Sequence, residues 1–296
     1  MENAICFENN KNIIFHVHPG GSCSLLPGEV HLWLATVDHV PDLSLSAAEQ
    51  IKLSAMKLPF VARRFESTRK LLRYLLRAYL NCPDGHIEKT DQGKPFLPEF
   101  PEFHFNVTHS KKMIMVALSR GPVGVDLERM RELDVLAVAK RFFSPQELFF
   151  LQNLSSKSTD AANNCVAPVL ASSSISYTLS RCAPSTPCSS QASATLKTGS
   201  QEEDQAQNQP TFFKLWTAKE AALKADGGGI ASGMKNNVAA MEDGNVSSII
   251  LGKRSWKISS WNLSEGGEIF FGAVATSFVP AVIHWYDLRT FDKINS

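Results

Sequence analysis

The strongest constraint on the fold is a helical run at residues 213–229, which reads FKLWTAKEAALKADGGG. Side chains four residues apart lie one turn apart on the same face of an α-helix, so Glu220 and Lys224 project together from one surface. Such a string is also ordinary chemistry for a solvent-exposed helix face. The run therefore predicts a helix that presents a carboxylate beside an ammonium, and it leaves the purpose of the pair open.

A pair of acidic residues lies upstream, in the run GVDLE at residues 124–128. One apolar residue separates Asp126 from Glu128, so in a strand both carboxylates point to the same face. Alone, the pair is also common at a turn entry or an exposed edge. Together with Glu220 and Lys224 it predicts a site for Mg²⁺ and phosphate, because hard cations prefer oxygen ligands and phosphate oxygens need positive charge around them.

A third segment, residues 103–110, reads FHFNVTHS. Its apolar residues alternate with polar ones, as in a half-buried strand whose exposed end carries Thr108, His109 and Ser110. A lone histidine is more often structural, but His109 lies between two hydroxyls at a strand end, where polar groups reach a ligand. The residues alone therefore leave a binding role and a structural role open for this segment.

Other elements follow from periodicity and capping signals. Residues 30–37 alternate like a strand, and Ser46, with a glutamate three residues later, predicts the start of a helix over residues 46–57. Residues 60–80 form an amphipathic helix with one cationic side. Later strands are predicted at residues 246–251, 255–261, 269–278 and 282–286. Helices and strands in this mixed order indicate an α+β fold.

Taken together, these segments resemble the 4'-phosphopantetheinyl transferase superfamily, and in particular its surfactin-synthetase-activating type. The matching runs are FNVTHS, GVDLE, the helical run with its glycines, and the Gly-Lys-Pro of TDQGKP at residues 90–95, all in the family's order. The run RFFSPQE at residues 141–147 is similar as well. The resemblance covers about residues 28–154 and 211–285. Thr108 departs from the usual serine but keeps a hydroxyl.

The resemblance implies the 4'-phosphopantetheinyl transferase fold, in which two pseudo-symmetric α/β lobes of one chain enclose the active site in the cleft between them. The expected division is an N-terminal extension at residues 1–27, an N-terminal lobe at 28–122 and a C-terminal lobe at 123–296. Residues 155–210 interrupt the second lobe and are rich in Ser, Thr, Ala, Asn and Gln. Without a periodic apolar surface they predict a disordered insertion, with a docking or phosphorylation segment as the alternative.

The resemblance further implies the reaction. A holo-[acyl-carrier-protein] synthase, that is a 4'-phosphopantetheinyl transferase, moves the 4'-phosphopantetheine group from coenzyme A to a serine of an apo acyl or peptidyl carrier protein. It uses Mg²⁺ and releases adenosine 3',5'-bisphosphate. The expected partners are therefore coenzyme A and an apo carrier protein or carrier domain. Fatty-acid synthase, polyketide or peptide synthetase and aminoadipate reductase carriers all remain open, so fatty acid and lysine biosynthesis are both expected settings.

Residue roles are carried over from the resemblance position by position. The implied metal ligands are Asp126, Glu128 and Glu220. The implied catalytic residues are Glu220, as a base acting directly or through a metal-bound water, and Lys224, which would stabilise or protonate the leaving group. The implied coenzyme A contacts are Arg64, Lys94, Thr108, His109 and Lys224. Whether Glu220 acts as ligand, base or both stays open in the sequence.

Composition and charge argue against several classes. A formal net charge of +1 gives no general attraction to nucleic acid. The longest apolar stretch near the end, residues 269–279, is shorter than the roughly 20 residues of a bilayer span. Six dispersed cysteines without a Cys-x-x-Cys pair fit reduced thiols, so a cytoplasmic location is expected, with mitochondria or plastids as alternatives. A monomer is expected as well. His16 and His18 would make a metal pair only with acidic or cysteine partners, and none stands near them in sequence.

Two rival functions use the same residues. A non-catalytic module that binds coenzyme A or a carrier protein would be expected to have lost a carboxylate or the lysine, and all of them are present. A metal-dependent phosphodiesterase built on Asp126, Glu128 and Glu220 leaves the Gly-Lys-Pro and Thr-His-Ser runs unexplained. The transferase is therefore the favoured interpretation.

Overall fold

The computed structural model describes residues 5–7, 12–16, 23–82, 84–153, 201–228, 233–242 and 245–289. Within these ranges the chain is an α+β protein, as predicted, with thirteen strands and five α-helices. The strands are β1 Ile5–Phe7, β2 Ile13–His16, β3 Glu29–Thr36, β4 Glu88–Lys89, β5 Pro95–Phe96, β6 His104–Ser110, β7 Met113–Ser119, β8 Val123–Arg129, β9 Val238–Glu242, β10 Asn245–Leu251, β11 Arg254–Glu265, β12 Glu268–Thr276 and β13 Val282–Asp287. The helices are α1 Ala47–Ser54, α2 Pro59–Leu80, α3 Val135–Phe142, α4 Pro145–Asn153 and α5 Gln201–Asp226. None of the described helices combines the length and the apolar character that a membrane span requires.

Local residue patterns set the ends of the first two helices, and the pattern at the start of α1 was predicted. In α1, Glu49 N–H donates to Ser46 Oγ at 3.3 Å and Ser46 N–H donates to Glu49 Oε2 at 3.0 Å, which is the predicted capping box. Helix α2 begins at Pro59, whose fixed φ suits the first helical turn. It ends at Leu80, and the capping residue Asn81 takes the left-handed conformation with φ of 52°. Arg73 Nε of α2 donates to Glu49 Oε2 at 2.7 Å, which ties the two helices together.

The strands form two large sheets and one two-stranded sheet. In the first sheet the order is β8-β12-β11-β10-β9, with antiparallel neighbours, and β1 pairs with the far half of β11. In the second sheet the order is β2-β13-β3-β7-β6, in which β13 is parallel to both β2 and β3. The pair β4-β5 stands apart. Strands β10 to β13 confirm the four strands predicted after residue 245.

Three apolar cores define four layers. The first core lies between α2 and the second sheet and contains Leu71 and Trp33. The second core lies between the two sheets, where Leu32 packs in the same cluster as Val125. The third core lies between the first sheet and helices α3, α4 and α5, and it includes Leu215. The order is therefore helix, sheet, sheet, helices, with each sheet covered by a long helix on its outer face.

Each end of the described chain pairs with strands that are distant in sequence: β1 joins the first sheet and β13 joins the second. Strand β1 lies in the first sheet, with Cys6 opposite Asn262. Strand β13 lies in the second sheet between β2 and β3, with His284 opposite His31. The strand at residues 282–286, which we predicted as the end of the C-terminal lobe, thus pairs with a strand of the predicted N-terminal lobe. The boundaries of the two lobes stay predictions.

A row of side-chain hydrogen bonds joins the two sheets where β6 and β8 lie side by side. Val125 N–H donates to Asn106 Oδ1 at 2.9 Å, and Arg129 N–H donates to Ser110 Oγ at 2.8 Å. Side chains of one strand thus satisfy backbone groups of the other, which a buried backbone requires. This seam fixes β8 relative to β6 at the place where both carry predicted site residues.

The seam corrects one sequence-based expectation. Thr108 and Ser110 were predicted at the exposed end of a strand, but both are buried against β8, with 3% and 7% of their surface exposed. Only His109, which points the other way from the same strand, is exposed. The alternation of side chains was predicted correctly, and the neighbouring strand that buries one face of it was not.

Helix α5 begins earlier than predicted. Residues 201–210, which we assigned to a disordered insertion, form its first turns, with Pro210 inside the helix. Their polar side chains show no apolar periodicity, yet Gln and Glu are good helix formers, and that propensity was overlooked. Residues 155–200 lie outside the described residues, so the remainder of the predicted insertion stays a prediction.

Candidate active site

Helix α5 lies unusually close to strand β8 at Gly124. A Cβ atom at Gly124 would lie 2.1 Å from the carbonyl oxygen of Ala221 and 2.3 Å from the backbone nitrogen of Ala225. No side chain fits at such distances, so this approach of helix to strand requires glycine. The alanines on the facing side of α5 keep the helix surface equally flat.

This close contact brings together four residues that the sequence predicted to share a site. Residues two apart in a strand share a face, so Asp126 and Glu128 lie on the same side of β8 as Gly124, which faces α5. From α5, Lys224 Nζ reaches to 2.6 Å from Asp126 Oδ1. Glu220 is close enough for its titration to respond to both acids of β8. Asp126 and Glu220 are buried, with 4% and 7% of their surface exposed.

Asp126 is the centre of a hydrogen-bond network. Its Oδ1 atom accepts from Lys224 Nζ at 2.6 Å and from Thr108 Oγ1 at 3.1 Å. Lys224 Nζ also donates to Thr108 Oγ1 and to the carbonyl of Val125, both at 3.2 Å. Thr108 therefore accepts from the ammonium and donates to the carboxylate, a double role that needs a hydroxyl. In the described part of the chain, Asp126 Oδ2 is buried without a hydrogen-bond partner.

The other two carboxyl groups carry pKa values above their ordinary range. Burial, and then the negative charge of Asp126, raise the pKa of Glu220 to about 7, although the charge of Lys224 opposes the rise. Burial and Asp126 also raise the pKa of Glu128, against Arg131, whose Nη1 lies 3.4 Å from Glu128 Oε2. Near neutral pH, Glu220 thus exists partly as the acid and partly as a carboxylate that can accept a proton.

The three acids fit a divalent cation by their chemistry. They offer hard oxygen ligands, and the buried Oδ2 atom of Asp126 lacks a partner among the described residues. The ligand atoms of these three acids are not among those that lie within 4.8 Å of one another in the described ranges. The group of residues that meets this distance lies on the second sheet. Like charges repel, and a cation among Asp126, Glu128 and Glu220 would replace that repulsion with attraction.

Positive charge gathers beside the acids. His109 is exposed at one side, but the protein around its ring displaces much of the water there. This desolvation, followed by the charges of Arg64 and Lys224, lowers the pKa of His109 to about 4. Arg64 comes from α2, where its guanidinium lies 5.7 Å from the ring centre of Phe60. No carboxylate in the described ranges forms an ion pair with Arg64. Three of the five predicted contacts of coenzyme A thus lie together at the edge of the acidic cluster, with Arg64 and Lys224 supplying positive charge around the neutral ring of His109.

Lys94 lies at the end of α5 instead. Its ammonium donates to the carbonyl oxygen of Ala225. Burial lowers the pKa of Lys94 to about 8, with Asp226 opposing the shift and Arg254 adding to it. In the described residues these contacts join Lys94 to the carboxyl end of the helix rather than to the group around Arg64.

A buried ion pair next to the site was missed in the sequence. Lys219 is fully buried, and its Nζ atom lies 2.5 Å from Glu147 Oε2 and 2.8 Å from the carbonyl of Asn237. Glu147 also closes a capping box with Ser144 at the start of α4. The pair anchors α5 to α4 and β9 one residue before Glu220. The Ser-x-x-Glu pattern at residues 144–147 was the available signal, since it marks a helix start.

Comparison with known proteins finds relatives that cover much of this chain. The model of the 4'-phosphopantetheinyl transferase superfamily matches residues 187–279. The chain is 31% identical over 221 residues to 4'-phosphopantetheinyl transferase HetI of Nostoc sp. (strain PCC 7120), covering 70% of this chain and 73% of that protein. It is 39% identical over 162 residues to 4'-phosphopantetheinyl transferase gsp of Aneurinibacillus migulanus, covering 54% and 46%. It is 37% identical over 68 residues to 4'-phosphopantetheinyl transferase Sfp of Bacillus subtilis (strain 168), covering 23% and 30%.

The chain therefore belongs to the 4'-phosphopantetheinyl transferase superfamily, and it is a transferase. Within the superfamily it is similar to proteins of the surfactin-synthetase-activating type, as the motifs predicted.

Proposed function

We propose that this protein transfers the 4'-phosphopantetheine group of coenzyme A to a serine of an apo acyl or peptidyl carrier protein, with Mg²⁺ as cofactor. The observation that carries the proposal is the contact between an acidic cluster and a cationic group. The acidic cluster is Asp126, Glu128 and Glu220, and the cationic group is Arg64 and Lys224 around the neutral ring of His109. A substrate that carries a pyrophosphate and a separate phosphate needs both a place for a cation and fixed positive charge.

Coenzyme A would be held by the cationic group. Arg64 offers five N–H donors in a planar fork, which suits the terminal phosphate of the nucleotide. His109 is neutral at physiological pH, so its ring contributes hydrogen bonding rather than charge. Lys94, at the end of α5, would contact a more distant part of the nucleotide. Arg64, His109 and Lys94 belong to the proposed N-terminal lobe, whereas Lys224 belongs to the C-terminal lobe, which supports binding in a cleft between two pseudo-symmetric lobes.

The transfer requires a serine proton to be removed and a pyrophosphate bond to break. The carrier serine oxygen forms a bond to the phosphorus that bears pantetheine, and adenosine 3',5'-bisphosphate leaves with the electron pair. Glu220 would take the serine proton, directly or through a metal-bound water, because its carboxylate lies beside the acids that would hold the cation. Lys224 would stabilise the charge that develops on the leaving phosphate. Bound Mg²⁺, held by Asp126, Glu128 and Glu220, would supply neutralisation of the pyrophosphate charge.

The proposed setting follows the sequence-based expectations. We propose a cytoplasmic monomer, with mitochondria or plastids as alternatives, that acts on carrier domains of fatty acid, polyketide or peptide synthesis, or of lysine biosynthesis. Residues 28–122 and 123–296 are proposed as the two lobes, with the exchange of β1 and β13 described above.

Mass spectrometry of apo carrier proteins incubated with coenzyme A and Mg²⁺ tests the proposal. We expect the carrier mass to rise by one phosphopantetheine group, and a carrier whose acceptor serine is replaced by alanine should stay unmodified. Asp126→Asn, which keeps the side-chain shape, should lose transfer by about a hundredfold or more. Hydrolysis of coenzyme A without a carrier product would indicate a phosphodiesterase. Binding of coenzyme A without any turnover would indicate a non-catalytic module, and either result would overturn the proposal.

A further inference from the structure

A compact group of imidazoles lies on the second sheet, away from the candidate active site. The parallel register of β3 and β13 places His31 directly opposite His284. Glu29 precedes His31 by two residues and therefore shares its face of the sheet. His16 of β2, the next strand beyond β13, completes the group, with its Nε2 atom 2.6 Å from His284 Nδ1. Four side chains from three adjacent strands thus converge on one spot.

The spacing of three of these side chains suits a metal ion. His31 Nε2 lies 3.3 Å from Glu29 Oε2, and His284 Nε2 lies 3.5 Å from Glu29 Oε1. One ligand atom from each of the three residues lies within 4.8 Å of the others. Ligands about 2.1 Å from a tetrahedral zinc ion lie about 3.4 Å from one another. The group therefore has the separations of a ligand set before any ion is added.

In both histidines, the ring nitrogen that faces away from Glu29 has a hydrogen-bond partner, as is usual for metal-binding histidines. His31 Nδ1 lies 2.5 Å from the hydroxyl of Tyr79, and His284 Nδ1 bonds His16 Nε2. Partners of this kind fix the ring orientation and leave the other nitrogen for an ion. The carboxylate of Glu29 is oriented as well, since its Oε2 atom also accepts from a backbone N–H at 2.9 Å.

The ring nitrogens that face Glu29 are shielded from solvent and make few hydrogen bonds. In the described part of the chain, His284 Nε2 is buried without a hydrogen-bond partner, although it points toward Glu29. His31 is buried as well, with 2% of its surface exposed, and its Nε2 atom faces the same carboxylate. The side chains of Glu29 and His284 retain 17% and 14% exposure, which leaves an ion a path from solvent.

We propose that Glu29, His31 and His284 bind a divalent transition metal ion, with Zn²⁺ as the preferred ion, at a site separate from the candidate active site. Two imidazoles and a carboxylate suit Zn²⁺ better than Mg²⁺, and three protein ligands leave one position for water. The ligands come from β3 and β13, so the ion joins strands that are far apart in sequence. Binding to the folded state alone would stabilise the fold.

Calorimetry and cobalt spectroscopy test this site in the full chain. The protein is stripped with a chelator and titrated with Zn²⁺ or Co²⁺ in excess Mg²⁺, which keeps the acidic cluster occupied. We expect one equivalent to bind, to raise the melting temperature, and to give the strong visible absorption of cobalt with fewer than six ligands. Glu29→Gln and His284→Gln should each weaken binding by about a hundredfold or more, and His16→Gln by about tenfold. His86→Gln, at an exposed histidine, is the matched control and should bind like the parent.

Each contrary outcome is distinct. The absence of one-equivalent binding by the parent would show that the group is a metal-free hydrogen-bond network, and the proposal would fail. Equal affinity of the parent and the Glu29→Gln and His284→Gln variants would place the ion elsewhere. A thiolate-to-cobalt charge-transfer band would assign it to cysteine. Glu29→Gln keeps the size of the side chain and an oxygen acceptor, so this variant is expected to fold and to give a clear result. None of these readouts depends on transferase activity.

Discussion

The ammonium of Lys224 lies 2.6 Å from Oδ1 of Asp126, across the contact between α5 and β8. This pair joins the helix and the strand that carry all the acidic residues of the candidate site. It exists because Gly124 lets the helix approach the strand closely. The chemistry of the site therefore depends on a backbone contact as much as on its charged side chains.

The first prediction concerns Glu220 and pH. Because burial and Asp126 raise its pKa from 4.5 to about 7, the folded protein binds this proton more tightly than the unfolded chain does. Stability of the metal-free protein should therefore fall as the pH rises from about 4.5 to about 7, and stay lower above that range. Glu220→Gln should remove the loss and be more stable than the parent at pH 8 by roughly 1–3 kcal/mol.

The same variant should lose activity. Without a carboxylate at this position, kcat should fall by about a hundredfold or more, with a smaller effect on the affinity for coenzyme A. Urea denaturation at pH 5 and pH 8 gives the stability, and steady-state kinetics gives the rate. A parent-like kcat would exclude Glu220 as the base, and an identical pH dependence of stability in both proteins would contradict its raised pKa.

A second prediction tests the hydroxyl of Thr108. Thr108→Ser keeps the oxygen that connects Lys224 to Asp126 and should retain transfer within a few-fold of the parent. Thr108→Val has nearly the same shape but leaves both partners with one bond fewer, at a cost of about 1–3 kcal/mol in this buried site. We expect kcat/KM to fall by roughly tenfold to a hundredfold. If the valine variant matches the serine variant, the hydroxyl only fills space.

A third prediction concerns the approach of α5 to β8. Gly124→Ala places a methyl group 2.1 Å from a backbone oxygen, so the helix must shift away from the strand. Overpacking of this kind costs typically 1–3 kcal/mol and sometimes more, and it should separate Lys224 from Asp126 as well. Gly85→Ala is the control, because its nearest neighbours would lie at 3.4 Å or beyond. Melting curves and kinetics should show both losses in the first variant and neither in the second.

A fourth prediction addresses the buried pair of Lys219 and Glu147. Removal of one partner leaves a buried charge without compensation, so Lys219→Met should destabilise the protein by about 3–5 kcal/mol. Lys257→Met, at an exposed strand position, should change the free energy of unfolding by less than about 0.5 kcal/mol. Urea denaturation compares the two. If both variants are equally stable, Lys219 does not anchor the helix.

The sequence predicted what local patterns determine. Residues 124–128 alternate strongly enough to be recognised as a strand, and the helix of Glu220 follows from its spacing and composition. The capping residue Ser46 was identified for the same reason. Each of these signals lies within a few residues of the element that it specifies. Their combination in one site came from the resemblance to a family, not from periodicity.

What escaped prediction depends on partners far apart in the chain. Nothing near His284 indicates that its strand pairs with β3, so the group with His31 and Glu29 has no local signature. Likewise, the burial of Thr108 depends on β8 lying beside β6. The early start of α5 is a different case, because the propensity of residues 201–210 was readable and was given too little weight.

The pairing of the chain ends with distant strands has a consequence for synthesis on the ribosome. Strand β3 forms early, but one of its two neighbours, β13, is made only when residues 282–287 emerge. Strand β1 likewise waits for β11. Contacts this distant in sequence form slowly, and an incomplete sheet exposes an unpaired strand edge in the meantime. The nascent chain should therefore complete its second sheet only after residues 282–287 emerge from the ribosome, which makes this protein a candidate for chaperone dependence during synthesis.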